Sequence, residues 1–345
     1  MLTVVPFIVG VLLSADPAGT IAFVTGTEQE DQCVCLLTLP DKAIRRLGPG
    51  TRDGAPVWSP DGSSLAFESA RPEGGLGIYV INADGTNGRF LAHKKEWNRG
   101  PSWSLDSRFL AYASGDAFNQ RIMVSELATG VETQWGGDAI ALMQPVWFSD
   151  EKLIAVGVVG VPGKQTTDLY WVSKDAAKHA NETQASKGEY VEWSPAVYPK
   201  QGAVAYDSND GGDREVFVSI TRQSLVGFGT VVIDVSNNRA PDWNPVWSPD
   251  ADWVAFESFR NGRRGVYRVN PLRALAYDVA SEPEWDNWAP TWSPDSHWIA
   301  FVSNRTGVPH LYATHIGEAS VLPLTDHATN DYAPAWRPDP SKKGK

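Results

Sequence analysis

At 345 residues, 42% of them apolar and 15 of them tryptophan, the chain can bury a sizeable core and lacks the compositional bias of a disordered or collagenous protein. Its formal charge of −11, from 30 Lys and Arg against 41 Asp and Glu, repels nucleic-acid backbones and anionic lipid, so no nucleic-acid partner is expected.

Residues 2–13 form an apolar run broken by Pro6 and followed by Ser14-Ala15-Asp16-Pro17. The run is too short to span a bilayer and has the form of a secretory-signal core with small residues at a cut after Ala15, although the usual basic start is absent and the first cation is Lys42. Residues 1–15 are read as a signal peptide or an apolar arm, 16–340 as one domain, and 341–345, with Lys342-Lys343-Gly344-Lys345, as a solvated basic tail. The expectation is a periplasmic or secreted protein, with the cytoplasm as the alternative, and not an integral membrane protein.

Ile21-Ala22-Phe23-Val24 and the stretch from Cys33 to Leu39 read as strands. Cys33 and Cys35, two apart on a strand, share a face, sit too far apart for an unstrained bridge, and are read as packing residues. A repeating unit then takes over. Tryptophan recurs at 58, 103, 147, 193, 247, 292 and 336, at spacings of 45, 44, 46, 54, 45 and 44 residues, usually two residues after Pro and often before Ser-Pro-Asp. A period near 45 is that of propeller blades.

After each Trp a short apolar strand recurs, as in Leu65-Ala66-Phe67-Glu68-Ser69, Leu110-Ala111-Tyr112-Ala113-Ser114, Val254-Ala255-Phe256-Glu257-Ser258 and Ile299-Ala300-Phe301-Val302-Ser303. A third follows a polar turn, as in Ile78-Tyr79-Val80-Ile81, Val266-Tyr267-Arg268-Val269 and Leu311-Tyr312-Ala313-Thr314, and a weaker fourth precedes the next Trp. The last unit, Pro334-Ala335-Trp336-Arg337-Pro338, supplies only an innermost strand, which the first unit lacks. The expected fold is therefore all-β, a seven-bladed β-propeller closed by a 1+3 strand clasp between the C- and N-termini. Each Trp is expected to wedge between blades with its indole N–H in need of a partner, and Ser59-Pro60-Asp61-Gly62 is turn chemistry. The unit from Trp193 to Trp247 is nine residues longer than its neighbours, and 219–238 is expected to hold the insertion, with Val231-Val232-Ile233-Asp234-Val235 as an outer strand.

Propellers bind on the face where blade-to-blade linkers meet the turns between second and third strands, around the channel mouth. There the sequence offers Asp53, Trp97, Asn98, Arg99, Asp242, Trp243, Trp285, Asp286, Asn287, Trp288, Asp331 and Tyr332. Arg71, Arg260 and Arg305 follow Asp53, Asp242 and Asn287 by 18 residues, on the same face of their blades, so a linker-to-turn tie is expected. Trp97, Trp243, Trp285, Trp288 and Tyr332 are expected to crowd one mouth as partner-binding aromatics, with Asn98, Arg99, Asp242, Asp286 and Asp331 beside them.

The pattern Asp-x-x-Pro-x-Trp-Ser-Pro-Asp, followed by an Ala-Phe strand and an Asn-Arg-x-Gly turn, resembles the TolB-type propeller, the WD40-like PD40 repeat. The segment from Leu324 through Asp331-Tyr332-Ala333-Pro334-Ala335-Trp336 and the pair Pro290-Thr291-Trp292-Ser293-Pro294-Asp295 and Ser303-Asn304-Arg305-Thr306-Gly307 carry the likeness. The TolB family's own propeller has six blades beside a separate α/β domain, and neither is read here. Peptidase propellers are similar too, yet they accompany a nucleophile elbow, and no Gly-x-Ser-x-Gly occurs in this sequence. The resemblance implies a non-catalytic scaffold binding a protein or peptide at the mouth, without a cofactor. The alternatives are a metal-bearing channel enzyme similar to oligogalacturonate lyases, using His93 or His327 with Asp326 and Asp331, and a carbohydrate- or calcium-binding module.

Overall fold

The computed structural model describes residues 16–341 apart from 28–30, 51, 73, 92–96, 117–118, 138–139, 162–163, 175–189, 199–201, 225–226, 319 and 340. The expectation for residues 1–15 and most of the basic tail lies outside the described residues.

Antiparallel sheets make up seven blades. The closing blade contains β1 (Gly19–Gly26), β2 (Cys33–Leu39) and β3 (Ala43–Arg46). Blade one is β4 (Val57–Trp58), β5 (Ser64–Ala70), β6 (Leu76–Asn82) and β7 (Arg89–Leu91); blade two is β8 (Asn98–Trp103), β9 (Phe109–Ser114), β10 (Arg121–Glu126) and β11 (Glu132–Trp135). Blade three has, among the described residues, β12 (Ala141–Ser149), β13 (Lys152–Val161) and β14 (Lys164–Ser173). Blade four is β15 (Glu192–Tyr198), β16 (Ala203–Ser208), β17 (Glu215–Ser224) and β18 (Gly227–Asp234). Blade five is β19 (Asp242–Trp247), β20 (Val254–Ser258), β21 (Gly265–Asn270) and β22 (Leu275–Ala280). Blade six is β23 (Asn287–Trp292), β24 (Trp298–Ser303), β25 (His310–His315) and β26 (Val321–Pro323), and β27 (Asn330–Trp336) pairs with β1 to give the closing order β27-β1-β2-β3.

The innermost strands β27, β4, β8, β12, β15, β19 and β23 each pack on the next, and β23 meets β27, so the ring is complete. The core is divided accordingly into seven apolar clusters, one at each blade interface, as in Ala66, Ile78, Leu110 and Tyr112 between blades one and two. Burial of these faces on one another is what a twisted four-stranded sheet, unstable alone, requires.

The recurring tryptophans sit in these seams. Trp58, Trp103, Trp147, Trp292 and Trp336 are all below 9% exposed. Each indole N–H finds a backbone carbonyl: Trp58 on Ala335 (3.0 Å), Trp103 on Val57 (3.1 Å), Trp147 on Ser102 (3.0 Å), Trp247 on Ala196 (3.0 Å) and Trp292 on Val246 (3.1 Å). These five acceptors lie on the innermost strand of the preceding blade, and Trp336 reaches Ala18 (3.1 Å) ahead of β1. The turns follow the sequence expectation. Ser59 Oγ donates to Asp61 Oδ1 (2.7 Å), Asp61 Oδ1 accepts the Ser63 N–H (3.0 Å), and Gly62 has φ 66°.

One register differs. Trp193 does not hold the repeat's seam position: it pairs with Asp207 as Trp243 pairs with Glu257, while Val197 pairs with Val204 as Trp247 pairs with Val254. The reason is the proline. The seam Trp stands two residues after Pro, whereas Trp193 stands two residues before Pro195, on the other side of a β-bulge. The seam positions 147, 197 and 247 are thus evenly spaced; the long β17–β18 hairpin lies largely within the expected 219–238 with β18 as the outer strand, and the hairpin between the second and third strands of blade three, β13–β14, is long as well. Cys33 and Cys35 are free, buried thiols on one face, with Sγ atoms 3.8 Å apart.

Candidate functional site

At or near the entry to each innermost strand stands one linker position, and six of the seven residues there are polar and buried: Asp53, Asn98, Glu192, Asp242, Asn287 and Asp331, against Leu142 in blade three. Three of the four acids among them tie their blade to the one before. Asp53 Oδ2 accepts the Val34 N–H (3.1 Å), Glu192 Oε2 accepts the Leu169 N–H (3.2 Å), and Asp331 Oδ2 accepts Thr325 Oγ (2.5 Å), whose hydroxyl takes the Leu311 N–H (2.9 Å). Val34, Leu169 and Leu311 all lie on the third strand of the preceding blade. Burial raises the carboxyl pKa of Asp53 and of Asp331. Asn98, Asp242 and Asp331 are fully enclosed, so these three sequence candidates act as struts beneath the surface.

The 18-residue ties are drawn in two blades. Arg260 Nη2 lies 3.3 Å from Asp242 Oδ2, and Arg305 Nη2 lies 3.3 Å from Asn287 Oδ1 and 3.2 Å from Glu282 Oε1. In blade one Asp53 instead takes Ser69 Oγ (2.6 Å) together with the Val34 and Gly50 N–H groups, and Arg71 donates to the Leu91 carbonyl.

The position after each strut carries the surface: Gly54, Arg99, Met143, Trp193, Trp243, Trp288 and Tyr332, all half-buried or exposed. Next in line is a bulge, where Gly100, Gln144, Ser194, Asn244, Ala289 and Ala333 hold positive φ between 46° and 60°, each just before a proline. Proline donates no ladder bond, which suits a bulge. The left-handed turn sends the bulge N–H sideways to the blade before: Gly100 to Glu68 Oε1 (2.9 Å), Asn244 to Asp207 Oδ1 (3.3 Å) and Ala289 to Glu257 Oε1 (3.0 Å). Burial raises the carboxyl pKa of Glu68 and of Asp207.

On blades four to seven these positions are Trp193, Trp243, Trp288 and Tyr332, an aromatic arc interleaved with arginines that sequence reasoning missed. Arg214 bonds Asp207 (2.6 Å) and lies 6.0 Å from the Trp243 ring centroid. Arg264 bonds the buried Glu257 and lies between two indoles, 5.6 Å from Trp243 and 5.5 Å from Trp288. Each arginine follows its carboxylate by seven residues in both blades, the one sequence signal that pointed to them. The carboxylates neutralise the guanidinium charge and hold it beside the rings, which makes an amphipathic surface.

Further around the rim, Trp97 is 46% exposed with the Arg99 guanidinium 4.7 Å from its ring centroid, and Trp285 is 38% exposed. Asp286 is held by Arg263 (3.4 Å) and the Asn304 amide (3.3 Å). Linkers and second-to-third turns do share one face, since Gly115 N–H bonds Trp97 O, Phe259 N–H bonds Pro241 O and Asn304 N–H bonds Asp286 O. Of the candidate metal ligands, His93 lies outside the described residues. His327 Nε2 lies 3.2 Å from Asp331 Oδ1, and its carbonyl accepts His310 Nε2 (2.6 Å). Among the described residues no group of three or more His, Cys, Asp or Glu side chains is placed to hold a metal ion, and no helix is long and apolar enough to cross a membrane.

Residues 227–343 match the TolB beta propeller domain. A segment of 85 residues is 32% identical to the Tol-Pal system protein TolB of Vesicomyosocius okutanii subsp. Calyptogena okutanii, covering 23% of this chain but only 19% of that protein. Among solved structures, TolB from Acinetobacter baumannii is similar with a TM-score of 0.59 at 14% identity, over 93% of this chain and 67% of that one. The β-propeller domain of the Trilobed protease from Pyrococcus furiosus is similar with a TM-score of 0.67 at 14% identity, over 90% and 96%. At such identities the structural likeness is one of fold.

Proposed function

We propose that this chain, a TolB-like propeller by its repeats, is a non-catalytic scaffold of the cell envelope that docks a protein or peptide on its linker face. The observation that supports this reading is the arc Trp193, Trp243, Trp288 and Tyr332, stiffened by Arg214 and Arg264 and flanked by the exposed Trp97 and Trp285. Rigid aromatic and arginine side chains around a concave mouth are the composition of binding hot spots. Buried struts below them hold the surface in place before a partner arrives, so little ordering entropy remains to be lost on docking.

Because Trp243 and Trp288 also clamp Arg264, the cleaner test uses the two exposed indoles. Trp97→Ala and Trp285→Ala, singly and together, are expected to leave the melting temperature within a degree or so while lowering capture of the partner from native envelope extract by at least about tenfold, a loss of about 1.4 kcal/mol. Undiminished capture by the double variant would move the docking surface elsewhere. A chelator added to the purified protein is expected to leave both melting temperature and capture unchanged. A fall in either would favour a cation at the mouth.

A further inference from the structure

The face opposite the mouth carries a cavity of about 300 Å³ at the seam between blades four and five, lined by Ile220, Trp247, Ala251, Asp252, Asn270, Pro271 and Leu272. Its floor is unusual within this ring. Trp247 is the one indole at a described seam that remains half-exposed, whereas the other five are buried. Its N–H is already spent on Ala196 O, so the cavity meets the ring rather than the donor. Asn270 is occupied as well, donating to Asp252 O (2.9 Å) and accepting from the Leu272 N–H (3.1 Å).

Asp252 supplies the charge. Its backbone is pinned in the turn, N–H to Asp250 Oδ1 (3.1 Å), while its exposed carboxylate makes no hydrogen bond or ion pair among the described residues. Asp250 adds a second negative group, with Oδ1 engaged by Ser248 (2.5 Å). Arg273, the cation of the neighbouring turn, is exposed and makes no ion pair with Asp252. The rim is apolar: Leu272 is 69% exposed and Leu275 57%, and Val231, 50% exposed, is the cross-strand partner of Ile220.

We propose that this cavity receives an arginine side chain presented by a protein partner, at a docking point separate from the mouth. The aliphatic stem lies against Ile220, Pro271 and Leu272, the guanidinium plane stacks on the Trp247 ring, and its N–H fork meets the Asp252 carboxylate. Apolar walls, one aromatic face and one unspent carboxylate are complementary to that group and to few others, since a purely apolar occupant strands Asp252 and an anion is repelled. A cavity of this size, at the small end of the range of about 300 to 1,000 Å³ for ligand sites, suits one side chain.

The test uses the full chain labelled with 5-fluorotryptophan, with the Trp247 fluorine signal assigned from Trp247→Phe. N-acetyl-arginine methylamide is expected to shift that signal saturably, while the isosteric but uncharged N-acetyl-citrulline methylamide and the apolar norleucine analogue are not. Asp252→Asn is expected to weaken the arginine probe by at least about fivefold at low salt, and added salt to weaken it in the parent protein. Equal response to the citrulline or norleucine probe, no saturable response to arginine, or undiminished binding by a folded Asp252→Asn variant would overturn the proposal. Trp97→Ala with Trp285→Ala is expected to leave this titration unchanged, so the failure of one face is told apart from the failure of the other.

Discussion

Each seam tryptophan has two separable contributions, a buried ring and a donated hydrogen bond. Trp103→Phe keeps most of the ring and removes the bond to Val57 O, so it is expected to cost about 1 to 3 kcal/mol in denaturant unfolding, the cost of leaving one buried carbonyl unpaired. Trp103→Ala empties the seam and is expected to cost about 3 to 5 kcal/mol. The bulges permit the opposite sign. Ala289 and Ala333 hold φ of 52° and 46°, a region where an L side chain costs roughly 1 to 2 kcal/mol and glycine is at ease. Ala289→Gly is therefore expected to stabilise by up to about 1 kcal/mol, less the greater freedom glycine gives the unfolded chain. A loss of stability would show that the Cβ packs better than its backbone fits. Blade one makes the comparison internally, since Gly62 occupies the left-handed turn position that Ser107, Ala251 and Ser296 hold in blades two, five and six.

At the scale of strands and linkers, the passage from blade four to blade five is where pH is expected to act. Glu215, buried at the start of β17, accepts from Ser236 Oγ and the Asn238 N–H (3.3 Å), while the Asn238 amide also bonds Asp242. Burial, with Asp242 as a near neighbour, pushes the Glu215 carboxyl up to about 7. The folded state thus binds a proton that the unfolded chain has released, so this group's contribution is fully present below its unfolded pKa of about 4.5 and is lost as pH rises towards 7. Glu215→Gln is expected to flatten that slope, with its melting temperature closest to or above that of the parent at pH 8. The same linkers show what the sequence could reveal. The repeated Pro-x-Trp and the second and third strands were legible because local turn chemistry and alternation repeat at each blade. Trp193 misled because an indole on the wrong side of Pro195 preserves composition but not register, and the true mark, a proline two residues before the seam, pointed to Val197. The mouth was legible in its aromatics but not in Arg214 and Arg264, whose role depends on indoles more than twenty residues away, Trp243 for Arg214 and Trp288 for Arg264, even though each carboxylate stands only seven residues before its arginine.

For the molecule as a whole, closure is the property on which the rest depends, because an open β1 would leave a row of unpaired backbone groups and an uncovered apolar face. Deleting 330–345 removes β27, which pairs with β1 and packs on β4 and β23, and is expected to produce a chain that aggregates or unfolds without a single cooperative transition. Retention of one sharp transition would mean that six blades and a partial seventh close by themselves. With the core divided into seven interface clusters, a change in one seam is expected to be felt mainly by the two blades that share it. The indole bonds add a direction to this arrangement, since five of the seven blades anchor in their predecessor, from Trp58 on Ala335 through to Trp292 on Val246. A wheel in which five of seven spokes lean on the one behind, and whose ring of packed inner strands is unbroken, holds its closure in the seams, so a gene cut at an outer turn such as that after Gly85 and rejoined across its old ends by a short linker should still specify the same rotor.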